Sequence, residues 1–191
     1  MSRTSNITYL RGDATEPVVG YGLRLLPHIC NDVGGWGSGY VLALSKKWKQ
    51  PEERYRLWAK REMLHEHHGR IQVVPVAPRV AVVNMIAQAG YKTPDNPVPV
   101  SYDSVHICLH NLAQWIRNYE SHKVDMLVPD ELEDTTIHMP RIGCGIGGGD
   151  WDMIEFIIRT MLFEWDVYVY DLPEGQMDEG MKGLVQAIEN N

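Results

Sequence analysis

Apolar residues along the chain recur at two spacings, every second position and every third or fourth, and the switching between them predicts strands alternating with helices. Ile7–Arg11 reads as a first strand ending at Gly12-Asp13, and residues 23–29 read as a second, with Pro27 expected to make its inner part irregular. After a glycine-dense loop, residues 40–48 read as a short helix, and Pro51 suits the first turn of another running to about Glu66, with Gly69 as the stop. The valine-rich runs Ile71–Ala77 and 79–86 read as strands buried on both faces, with boundaries shifted by Pro75 and Pro78.

From Ser101 onward, Tyr102, Val105, Leu109, Leu112, Ile116 and Tyr119 mark one face of a helix. Residues 124–135 are acidic and read as an exposed connection, and residues 136–139 as a strand. A second glycine-dense loop, residues 143–149, feeds a helix whose buried stripe is Trp151, Ile154, Ile158, Met161 and Leu162, with Asp150 placed to cap it. Residues 167–170 alternate aromatic and β-branched side chains as a last strand does. The order predicts an α/β fold, a three-layer α/β/α sandwich around a central mixed sheet. One domain over residues 1–172 is expected, followed by a tail, 173–191, with a short helix near 181–188.

Composition narrows the chemistry. The 191 residues carry a net charge of −7, so general nucleic-acid or anionic-membrane binding, which needs a cationic face, is not expected. An anionic ligand must be held locally. Three cysteines, Cys30, Cys108 and Cys144, show no metal-ligand spacing, and no apolar run approaches a membrane span. A cytoplasmic protein without a metal or cofactor is the expectation. His65, His67 and His68 resemble a metal cluster only loosely and suit a surface helix end. The basic run from Lys46 to Arg61 suits either a solvated helix face or contact with a polyanion.

Three strand ends carry unusual residues: Gly12-Asp13-Ala14, the run 28–39 reading HICNDVGGWGSG, and the run 139–149 reading MPRIGCGIGGG. In open α/β sheets, ligands bind beyond the carboxyl ends of strands. Glycine lets consecutive backbone N–H groups approach phosphate oxygens with no Cβ between them, and each long loop runs into a helix whose positive end adds to the attraction. Neither loop continues into the GK[ST] of a P-loop, and neither stands where a dinucleotide fingerprint would.

The opening NITYLRGDATEP, the loop HICNDVGGWGSG with PEERYRLW after it, and IHMPRIGCGIGGGDW before VYVYDL together resemble the macrodomain family, nearest its ADP-ribose-1''-phosphate phosphatase branch and that branch's bacterial and phage relatives. The resemblance spans nearly the whole chain and is weakest over residues 85–135 and the tail. It implies an ADP-ribose site in which Gly12, Asp13 and Ala14 hold the adenine, Asn31 the distal ribose, and Gly34, Gly35, Trp36, Gly37, Ser38 and Gly39 the distal ribose and diphosphate. Ile142, Gly143, Cys144, Gly145, Ile146 and Gly147 would close over the same groups from the other side.

Several of these residues have a second reading from their chemistry alone. Asp13 suits turn capping, Trp36 suits packing beneath its loop, and Cys144 suits a small packing residue better than a nucleophile. By the resemblance, His28 is the catalytic candidate, with Asn31 beside it, as nucleophile or general acid/base toward a terminal phosphate. A satisfied histidine at a strand end fits the same position. A related branch that strips ADP-ribose from acidic side chains uses a lysine and an aspartate; here Gly147 stands at the aspartate's place, and no lysine follows Gln88 before Lys92.

The function implied is binding of ADP-ribose with hydrolysis at its distal ribose, by ADP-ribose-1''-phosphate phosphatase or mono-ADP-ribosyl hydrolase activity. The partner is then ADP-ribose, a derivative, or an ADP-ribosylated macromolecule. A reader module that binds ADP-ribose without chemistry uses the same cradle. A metal-dependent nucleotide-processing enzyme is disfavoured by the sparse clustering of histidine and carboxylate.

Overall fold

A computed structural model describes residues 6–20, 22–125 and 135–173. It contains a six-stranded sheet in the order β1-β6-β5-β2-β4-β3, where β1 is Ile7–Arg11, β2 Arg24–Asn31, β3 Ile71–Ala77, β4 Val80–Gln88, β5 Thr136–Pro140 and β6 Asp166–Asp171. All neighbours are parallel except β3 and β4. Helices α1 (Tyr40–Lys47) and α2 (Gln50–Arg61) cover one face, while α3 (Tyr102–Asp125) and α4 (Trp151–Met161) cover the other. The architecture is the mixed three-layer sandwich that the residue pattern predicts.

Period-two alternation sorts the strands between two apolar layers. In β4, Ala81, Val83, Met85 and Ala87 face α3 and α4, whereas Val80, Val82 and Ile86 face α1 and α2. In β2, Leu25 joins the first group, and Leu26 and Cys30 the second. His28 therefore shares the α1/α2 side with its even-numbered neighbours.

Four expectations change in detail. β2 runs on to Asn31, and its ladder with β4 continues through Pro27↔Val83, with the irregularity between Cys30 and Asn31. Pairing with β5 is registered only at Arg24 and Leu25, ahead of Pro27, which has no N–H to extend a ladder. α2 stops at Arg61 because its buried positions Pro51, Tyr55 and Trp58 would be followed at the same spacing by Glu62; the chain turns there, and a 3-10 turn, Leu64–Glu66, brings Leu64 into the core. β3 is a half-exposed edge strand rather than one buried on both faces, and Pro75 is tolerated on such an edge. Ser101 lies just ahead of α3, where its hydroxyl accepts from Ser104 N at 3.2 Å. Of the acidic connection expected at 124–135, residues 126–134 lie outside the described residues, as does the helix expected in the tail.

Candidate functional site

The loops beyond the carboxyl ends of the parallel strands gather at one end of the sheet and border the crevice that such sheets leave there. Gly12 N donates to Asp171 O at 2.9 Å, joining the loop after β1 to the end of β6. The second glycine loop packs on the end of β2: a Cβ at Gly143 (φ 72) would stand 3.0 Å from Ile29 Cδ1 and 2.9 Å from Ile154 Cδ1, so both backbone conformation and space call for glycine. The same loop meets the segment after β4 through Val100 N donating to Gly147 O at 3.3 Å.

The first glycine loop is fixed from below. Asn31 Oδ1 accepts from Val33 N (3.1 Å), Gly35 N (2.9 Å) and the Tyr55 hydroxyl (2.9 Å), and its Nδ2 donates to Gly35 O (2.8 Å). Arg56 donates to Gly34 O at 3.3 Å and Trp36 O at 3.2 Å. Trp36 is buried, its Nε1 donating to Ser45 Oγ at 2.7 Å. Gly37 and Ser38 are exposed at the mouth, where α1 starts with no side-chain cap and no acidic residue in its first turn. No carboxylate there offsets the positive end of the helix dipole, which favours an anion. α4 differs, since Asp150 caps it by accepting from Asp152 N and Met153 N.

No family model matches the chain. A solved macrodomain protein from Streptomyces coelicolor is 37% identical, covering 86% of this chain and 98% of its own, with a TM-score of 0.68. The chain belongs to the macrodomain family. A protein of unknown function from Bacteroides thetaiotaomicron is 44% identical, with coverage of 89% and 100% and a TM-score of 0.75. An ADP-ribose 1''-phosphate phosphatase from Candida albicans is 24% identical over 170 residues, 85% of this chain and 99% of the enzyme.

The macrodomain brings the three sequence-selected segments to one end of the sheet, but their side chains take different places. His28 lies beneath the crevice floor at 2% exposure, edge-on to Trp36 with ring centroids 5.3 Å apart. Its Nε2 is 2.6 Å from Asn84 Oδ1. Burial pushes the imidazole down to about 4, against the opposing pull of that hydrogen bond. Asp13 Oδ1 accepts from Thr15 N at 2.8 Å, capping its own turn, while the carboxylate remains exposed at the crevice edge. Ala14 and Ile142 are buried and contribute backbone. Cys144 donates its thiol to Ile142 O, and burial pushes that thiol up to about 11 although Arg141 works the other way.

His65, His67 and His68 part company: His65 pairs with Glu66, His67 with Glu62, and His68 Nε2 bonds Asp32 Oδ2 at 3.0 Å. Among the described residues no group of three or more metal-ligating side chains forms. Sequence reasoning passed over Tyr55 and Arg56, which hold the first loop, and Asp32, whose Oδ1 accepts from Gly90 N at 2.7 Å. Burial would raise the Asp32 carboxyl, but the His68 and Gly90 hydrogen bonds hold it below its ordinary value. Arg56 belongs to the basic run that suits either a solvated helix face or contact with a polyanion, and its hold on the first loop rests on residues 20 and 22 positions away.

Proposed function

We propose that this macrodomain binds ADP-ribose across the crevice and hydrolyses a bond at the distal ribose, either the phosphomonoester of ADP-ribose-1''-phosphate or the link to a modified macromolecule. The observation that carries the binding half is the pairing of two glycine loops with the uncapped start of α1. A diphosphate seated there meets backbone N–H donors in a chain whose net charge of −7 offers no broad cationic surface. A solved Oceanobacillus iheyensis macrodomain mutant with ADPR, a Thermosipho africanus DarTG in complex with ADP-ribose and the named activity of the Candida albicans relative support the same reading.

In the phosphatase case, a water oxygen attacks phosphorus, the bridging P–O bond breaks, and the proton that the water gives up is balanced by one gained at the departing ribose oxygen, leaving ADP-ribose and inorganic phosphate. Preorganised donors of the first loop would stabilise the charge that develops on the phosphoryl oxygens. His28 enters this reading as a positioning residue under Trp36, because its Nε2 is engaged and its ring is sealed from the crevice.

One observation favours the reader alternative: His28 and Asn31, the two side chains singled out for chemistry, both spend their hydrogen bonds inside the fold. Incubation with ADP-ribose-1''-phosphate, with inorganic phosphate measured over time and an ADP-ribosylated protein run in parallel, separates the two. Phosphate or free ADP-ribose released in proportion to enzyme supports the hydrolase. Binding of ADP-ribose with neither product supports the reader.

A further inference from the structure

The segment between β4 and α3 bridges the two glycine loops, and two consecutive residues of it lie against one loop each. A Cβ on Gly35 would stand 2.3 Å from the Tyr91 hydroxyl, so the phenol occupies the space that glycine leaves in the first loop. A Cβ on Gly148 would stand 3.5 Å from Lys92 Nζ, which places the ammonium against the second loop. Adjacent side chains of an extended segment point to opposite sides, which is how one dipeptide spans the gap.

This segment is held in place rather than left to wander. Gly90 N donates to the Asp32 carboxylate at 2.7 Å, Gln88 Nε2 donates to Gly90 O at 3.0 Å, and Asn96 Nδ2 donates to Ala89 O and Tyr91 O at 2.9 and 3.1 Å. Gly90 takes φ 62, a turn that directs the following dipeptide.

Charge then singles out Lys92. Across the crevice loops, residues 12–20, 32–39, 89–100 and 141–150, the only lysine or arginine residues are Lys92 and Arg141. Arg141 is committed elsewhere, bidentate to Asp171 at 2.6 and 2.8 Å and flanked by the rings of Tyr9 and Trp151. Lys92 enters none of the ion pairs found among the described residues.

We propose that Tyr91 and Lys92 form a clamp over the crevice, in which Lys92 is a specificity-determining residue that favours ligands bearing a terminal anion, a phosphomonoester, on the distal ribose. The proposal rests on the ADP-ribose reading of the crevice. Backbone donors suit a diphosphate, whereas an additional dianion at the mouth gains a full opposing charge from Lys92; the Arg56 guanidinium beneath the first loop is already paired with Glu52 and two loop carbonyls.

The test is calorimetric titration of the full chain with two probes, ADP-ribose and a non-hydrolysable phosphonate analogue of ADP-ribose-1''-phosphate. It is repeated for Lys92→Met and Lys92→Arg, with melting temperature as the check on folding. The wild type should bind the phosphonate more tightly, and Lys92→Met should lose on the order of tenfold toward it, the scale of one hydrogen bond to an ionised group. ADP-ribose affinity should stay within about twofold, and Lys92→Arg should retain most of the preference. Equal losses toward both probes, or no preference in the wild type, overturn the clamp while leaving the ADP-ribose site standing. Failure of the wild type to bind either probe removes that site, and the clamp with it.

Discussion

His28 Nε2 stands 2.6 Å from Asn84 Oδ1, and the rest of Asn84 decides what that contact means. The Asn84 amide donates to Pro51 O at 3.1 Å and to Gln72 Oε1 at 3.0 Å, so both its hydrogens are used and its oxygen must face the imidazole. Nε2 therefore carries the proton. The pair joins β2 and β4 to the first residues of α2 and supports Trp36, and through it the first glycine loop. Replacing His28 with Ala leaves Asn84 Oδ1 unpaired in a cavity, and unfolding in urea should show a loss of about 2–4 kcal/mol. A catalytic histidine would instead abolish turnover while leaving the unfolding midpoint in place.

Stability should fall on mild acidification. Burial holds both His28 and His138 down to about 4, with the charge of Arg24 adding to the effect at His138, whereas the unfolded side chains protonate near 6.5. Folded-state pKa values below the unfolded ones mean that the stabilisation is complete above pH 6.5 and is lost as pH falls toward 4. Thermal melts at half-unit pH steps should show this decline, and His28→Asn should flatten part of it. A melting temperature unchanged from pH 7 to 5 would contradict the burial of both rings.

Tyr55 and Arg56 should matter to binding because they hold the first glycine loop. Tyr55→Phe removes the hydroxyl that donates to Asn31 O at 2.7 Å and also meets Asn31 Oδ1, at an expected cost of about 1 kcal/mol. Arg56→Met frees the carbonyls of Gly34 and Trp36. Each variant should remain folded and bind ADP-ribose more weakly, because the loop must then be ordered by the ligand. Titration of the two variants checks this, and unchanged affinities would show that the loop needs no such support.

Cys144 should be chemically quiet. With its thiol pushed up to about 11, almost no thiolate exists at neutral pH. Iodoacetamide at pH 7.5 should label it more slowly than a free cysteine, and Cys144→Ala should leave ADP-ribose affinity within about twofold, as a packing role implies. Rapid labelling followed by mass spectrometry would point instead to a reactive thiol.

The sandwich and its helix faces were legible because spacing reports burial: Val105, Leu109, Leu112 and Ile116 of α3 are all fully buried, and Ile154, Ile158 and Leu162 line the same layer. The glycine loops were legible as neighbours because loops that follow parallel strands open at the same carboxyl end of the sheet. The direction of His28 follows from its parity with Leu26 and Cys30 in β2, but parity fixes a face only once the strand's neighbours are known. The roles of Asp32, Tyr55 and Arg56 depend on contacts with residues 20–58 positions away, which spacing does not carry. The end of α2 at Arg61 was visible in retrospect, since Glu62 falls where the apolar face should continue.

Calorimetric titration of the full chain with ADP-ribose tests the central claim most directly. A single site that binds ADP-ribose, and that binds it much more weakly once Asn31→Ala unties the first glycine loop, is the predicted result. No measurable heat or binding with folded wild-type protein would contradict the assignment of the crevice to ADP-ribose.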